Sequence, residues 1–111
     1  AEELEKALVG YEQAGAVADS GDIDLRRGYI LIDLERWEEA RDALTKAIEK
    51  GGFNDRKMGE AWVMVGMAEM SLENYDEALE AWRQANRYET ARSAAQQWMN
   101  HLREERARKA P

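Results

Sequence analysis

Small and large apolar residues recur at helical spacing along this chain. Ala40, Leu44, Ala47 and Ile48 form one stripe, and Ala78, Ala81, Trp82 and Ala85 form another. Glu38, Glu39, Arg41 and Asp42, or Asp76, Glu77 and Glu80, fill the remaining faces, the pattern of helices with one buried side. Residues 2–17 carry Leu4, Ala7, Leu8, Tyr11 and Ala14 on one face. The last segment sets Ala91, Ala94, Ala95, Trp98 and Leu102 against Gln96, Asn100, Arg103 and Glu104. The pattern predicts an all-α chain of about six helices, over 2–17, 22–34, 37–50, 57–72, 75–87 and 90–108.

The stripes are copies of one another. Residues 28–47 align without a gap to residues 66–85, at a constant shift of 38. Gly28 and Gly66, Leu34 and Leu72, Trp37 and Tyr75, Ala40 and Ala78, Leu44 and Trp82, and Ala47 and Ala85 fall at matching places. A glycine inside a helix costs about 1 kcal/mol relative to alanine, so glycine at the same repeat position twice predicts close helix–helix approach. Ala7, Tyr11 and Ala14 repeat the spacing of Ala40, Leu44 and Ala47, so residues 1–18 read as the second helix of a repeat that lacks its first. Residues 21–52 and 57–89 are then whole repeats, and 90–109 a C-terminal capping helix, in one solenoid spanning 1–111.

This arrangement resembles the tetratricopeptide-repeat (TPR) family: a helix-packing glycine, an aromatic between the helices and alanines in the second helix, with Trp62 opening the second copy. The first copy departs from it, with Asp24 where Trp62 stands, and neither copy ends in the usual proline. The usual period is about 34 residues, so the extra ones are expected around residues 51–55. The resemblance implies a right-handed superhelical stack of helix pairs that binds a protein or peptide. It maps the concave wall onto the first helix of each repeat: Leu25, Tyr29 and Ile32, then Val63, Met64, Met67 and Met70, with Asp22, Arg26, Asp33, Glu60 and Ser71 among them. Methionine is flexible and polarisable, suited to varied apolar partners. The other reading of these methionines is that some pack against helix 90–108, the cap lying partly in the groove. Leu25, Tyr29 and Met64 do not supply the Lys, Asn and Arg with which chaperone-binding TPR domains clamp a terminal carboxylate. Residues 94–105 also resemble the C-termini of TPR proteins encoded with TonB-type energy-transduction systems of Gram-negative bacteria, which implies a periplasmic setting and an envelope partner; without that likeness a cytoplasmic setting is expected.

Composition narrows the partners. The formal charge is −7, from 16 basic and 23 acidic residues, which argues against a nucleic-acid or anionic-membrane footprint. It is uneven, because residues 91–111 carry +3 and residues 1–90 carry −10. Cations at a helix C-terminus favour its dipole, which accounts for the basic end without an anion site. There is no cysteine, hence no disulfide, thiolate metal site or cysteine nucleophile, and no apolar run of membrane-spanning length. The sequence opens inside a helical pattern and reads as a piece of a longer protein.

No catalytic set stands out. Asp19 to Asp24 lacks the ligand register and closing glutamate of a calcium loop and reads as a turn with an Asp N-cap. His101, the single histidine, has Glu105 one turn on, and two ligands do not make a metal site. The chain is therefore expected to be a binding scaffold and not an enzyme, with no cofactor. The competing reading is a structural or oligomerisation segment; an enzymatic one would need a cluster formed only in space. Trp37, Leu44, Trp62, Tyr75, Trp82 and Trp98 are expected to be largely buried. The Leu4, Leu8 and Tyr11 stripe is expected to pair copies into a homodimer, unless it is covered by helix 22–34.

Overall fold

The computed structural model describes residues 2–110. Their regular structure is entirely helical: α1 (Glu2–Val17), α2 (Asp22–Asp33), α3 (Trp37–Lys50), α4 (Asp55–Ser71), α5 (Tyr75–Ala85), a 3-10 turn (Glu89–Ala91) and α6 (Arg92–Lys109). Each helix packs on its neighbour in sequence, and α2 touches α4 as α4 touches α6. The result is a slab of 45 × 30 × 17 Å in which helix pairs stack as in a TPR-like solenoid. The helix predicted over 90–108 begins as the 3-10 turn and is α-helical only from Arg92, and α4 begins two residues earlier than its pattern predicts.

The helix ends follow from local chemistry. Asn54, in extended conformation, accepts the Lys57 N–H at 3.0 Å and opens α4. Between α3 and α4 the extra residues form a loop through Gly51 and Gly52, whose φ angles of 63° and 85° suit glycine. Helices α2 and α4 close alike. Glu35 and Glu73, at the same repeat position, adopt φ of 56° and 62°. The next N–H folds back each time: Arg36 donates to the Leu31 carbonyl at 2.9 Å and Asn74 to that of Glu69 at 2.8 Å. One more donor bonds within each turn, Glu35 to Ile32 and Glu73 to Met70, so carbonyls in the last turn of both helices find partners.

The repeat glycines have the role their spacing predicts. A Cβ on Gly28 would lie 2.5 Å from Leu44 Cδ2, and one on Gly66 would overlap the Trp82 indole. Ala40, Ala43, Leu44 and Ala47 in α3, and Ala78, Ala81, Trp82 and Ala85 in α5, are all buried. One apolar core runs from Leu8 of α1 through α2, α3 and α4 to Ala81 of α5; a second joins α4, α5 and α6. Trp82 is wholly buried, its indole N–H donating to the Val63 carbonyl at 3.1 Å and its ring stacked on Trp98 at 5.8 Å. Such a stack adds about 1 kcal/mol to the burial itself. Trp37, Trp62, Tyr75 and Trp98, by contrast, are only half-buried, because each sits at a helix start or at the edge of a layer.

The turn before α2 corrects another expectation. Its N-cap is Gly21 and not an aspartate; the Ser20 hydroxyl accepts the Asp22 N–H at 3.3 Å, and Gly21 N–H bonds the Gly51 carbonyl at 2.8 Å. Asp24 lies inside α2, 1% exposed. Lys50 Nζ stands 2.8 Å from Asp24 Oδ2, an ion-pair contact without hydrogen-bond alignment, while Arg27 is 3.8 Å from the other oxygen. Lys50 also donates to the Gly15 carbonyl at 2.6 Å, so one ammonium joins α1, α2 and α3.

Candidate functional site

The residues mapped onto a concave wall divide by burial. Leu25, Ile32 and Val63 are 2%, 8% and 8% exposed, and so serve as its foundation. Tyr29, Met64, Met67 and Met70 are half-buried and reach its surface. Tyr29 and Met64 pack on the first core together with Leu25 and Ile32. Met70 packs on the second with Val63, and Met67 touches both. The seven are therefore divided between the two cores, with Met67 packed on both. Burial and the neighbouring Glu60 carboxylate push the Tyr29 hydroxyl up to about 12.

Two hollows lie between α4 and α6. A hollow of about 220 Å³ is lined by Arg56, Glu60, Val63, Thr90, Ala91 and Ala94. Another, of about 380 Å³, is lined by Trp37, Met67, Met70, Ser71, Trp98 and His101, with Glu73, Tyr75, Glu105 and Lys109 at its rim. Glu60, Val63, Met67 and Met70 on α4 face Ala91, Ala94, Trp98, His101 and Glu105 on the other side, both series stepping by three or four residues. The two hollows follow one another along the seam between α4 and α6, here termed the cleft, and share no lining residue. Helix α6 walls these hollows, and Met67 and Met70 pack on the same core as its Ala95 and Leu102, the contact that the second reading of the methionines expects of this helix. Its place is fixed by the Trp82–Trp98 stack and by Lys109, which donates to Tyr75 Oη at 2.9 Å and to Glu73 at 3.0 Å. Arg106 and Lys109 also lie over the Tyr75 ring, each 5.6 Å from its centre.

Trp98 and His101 were legible only as parts of a capping helix, since no pattern within α6 shows which side meets α4. His101 is exposed and meets the edge of the Trp98 ring at 5.7 Å. Among the described residues no three His, Cys, Asp or Glu side chains converge as metal ligands would, and no helix is long and apolar enough to cross a membrane. What the cleft offers is an apolar floor of methionine and tryptophan between polar rims.

Residues 59–91 match the family model of the tetratricopeptide repeat. The matched span runs from within α4 to the end of the 3-10 turn and includes one wall of the cleft. The 38-residue shift relates residues 66–85 within this span to residues 28–47, outside it. No curated protein matches the chain.

Proposed function

We propose that this chain is a protein-binding scaffold, built as a TPR-type right-handed superhelix, that receives a helix or extended peptide of another protein in the cleft between α4 and α6. The observation that carries this reading is the partial exposure of Met67, Met70 and Trp98 around one hollow. Adaptable apolar side chains between polar rims suit a helix that presents apolar residues at every third or fourth position. Tyr29 and Met64 extend the contact toward α2. Binding without covalent chemistry is the proposed activity. The likeness of residues 94–105 to TonB-associated TPR proteins supports an envelope partner in the periplasm.

Selection of displayed helical peptides on the folded chain tests this. Peptides so obtained should lose at least tenfold in affinity for Met70→Glu and for Trp98→Ala, and keep it for Val17→Glu on α1. Circular dichroism melting confirms that each variant is folded. Binders indifferent to both cleft substitutions would overturn the assignment of the cleft.

A further inference from the structure

Tyr88 and the 3-10 turn carry the chain from the end of α5 to the start of α6, and they press on α4 at Gly59. A Cβ on Gly59 would lie 2.8 Å from Ala91 Cβ and 2.9 Å from Tyr88 Cβ. This close approach sets Arg87 and Arg92, on either side of the turn, beside Arg56 in the first turn of α4. The three guanidinium groups line one hollow of about 470 Å³, with Tyr88 and Thr90 between them.

These arginines are not used to hold the fold by charge. Among the described residues no carboxylate stands within ion-pairing distance of any of the three, whereas Arg36, Arg41, Arg106 and Arg108 all have one. Arg87 donates to Gln84 Oε1 at 2.7 Å, and Arg92 donates through Nε to the Asn86 carbonyl at 3.1 Å. Both acceptors are neutral, so they steady the side chains without cancelling their charge. A guanidinium carries five N–H donors, and most of those in the hollow remain available to a ligand. Asp55 and Glu89 also line it, so three arginines against two carboxylates leave a net +1. That balance suits a single carboxylate, whereas a phosphate would bring about two negative charges to a lining that neutralises one.

Arg56 and Thr90 line the hollow of about 220 Å³ in the cleft as well, so this opening adjoins the cleft at the start of α4. We propose that Arg56, Arg87 and Arg92 form a subsite for one aspartate or glutamate side chain of the partner segment, an inference that rests on the reading of the cleft as a peptide site. The other end of the cleft discourages the same residue, since its rim of Glu73, Glu105 and Lys109 is net −1. Charge therefore gives the bound segment a direction as well as a composition.

Peptides selected from one displayed random library on the wild-type chain and on Arg56→Gln/Arg87→Gln/Arg92→Gln test this. The three positions are exposed, so the variant should keep the wild-type circular dichroism spectrum. Wild-type binders should share an acidic residue at one fixed place beside their apolar anchors, and binders of the variant should not. A synthetic wild-type binder with both termini blocked should lose about threefold in affinity for each single arginine exchange, the size of one exposed ion pair, and about tenfold or more for all three. Glutamine in place of its acidic residue should weaken binding to the wild type and leave binding to the triple variant unchanged. Binders without acidic preference, lost through Met70→Glu and Trp98→Ala but kept by the triple variant, would overturn the subsite and leave the cleft standing. Acidic binders that need the arginines and ignore Met70 and Trp98 would support the subsite and overturn the cleft. Displacement of the peptide by inorganic phosphate at constant ionic strength would overturn the choice of a carboxylate, and a library that yields no binder would overturn both readings.

Discussion

Replacing Gly66 by alanine adds a single methyl group, and the structure sets that methyl against the Trp82 indole. Trp82 is 0% exposed, stacked on Trp98 and bonded through Nε1 to the Val63 carbonyl, so the ring has no free direction in which to yield. Overpacking a filled core costs about 1–3 kcal/mol. Stretching the buried indole hydrogen bond adds about 1 kcal/mol, the low end for leaving a donor unsatisfied. Against these stands the gain of about 1 kcal/mol for alanine over glycine within a helix. The net expectation is a loss of about 2 kcal/mol, or a fall in melting temperature of roughly 10 °C for a domain of this size. Urea denaturation followed by circular dichroism measures it. Gly10→Ala is the matched control, since the same methyl enters open space and should stabilise by up to about 1 kcal/mol. If Gly66→Ala proves as stable as wild type, the close approach of α4 and α5 through Gly66 is wrong.

Lys50→Met should cost about 3 kcal/mol by leaving the buried Asp24 side chain without its ammonium partner and beside a distant Arg27, and Asp24→Asn added to it should recover part of the loss; a neutral Lys50→Met would contradict the buried ion pair. Glu35→Gly should raise the urea midpoint by the equivalent of about 0.5 kcal/mol, because relief of the left-handed backbone, about 1 kcal/mol, exceeds the added freedom of the unfolded chain; a lowered midpoint would refute the assigned conformation. Absorbance at 295 nm should show one tyrosine ionising near pH 12, a phase lost in Tyr29→Phe. As the unfolded tyrosine ionises near 10, its contribution to stability is complete below about pH 10 and lost as pH rises toward 12, so alkaline unfolding should begin later in Tyr29→Phe.

The fold was legible wherever one repeat position recurs under the same steric demand. Gly28 and Gly66 announce close approach because nothing else justifies glycine inside a helix twice, and the alanines of α3 and α5 mark the covered face. The half-burial of Trp37 and Trp98 was not legible, since an apolar stripe shows that a side is turned inward but not how completely neighbouring helices close over its edge. Asp24 was noticed only as a departure from the repeat. Its partner Lys50 lies 26 residues on, and no spacing rule joins a residue near the start of one helix to the last residue of the next. The cleft was half legible: its α4 side follows from the place of that helix in the repeat, whereas its α6 side depends on the Trp82–Trp98 stack, a contact across helices.

Packing almost entirely between sequence neighbours has a kinetic meaning. Loops to be closed before a contact forms are short throughout, which lowers the entropic barrier to folding and places the chain among topologies that fold quickly. Opening is equally local. Helix α1 can detach at the expense of its contact with α2, the Lys50 bond to Gly15 and the Glu5–Arg36 pair, with both apolar cores between α2 and α6 left largely intact. Helix α4 touches α2, α3, α5 and α6 and cannot open without dissolving both cores. Amide protons of α4 should therefore exchange with solvent last and those of α1 first, a gradient of protection centred on the helix that carries one wall of the cleft.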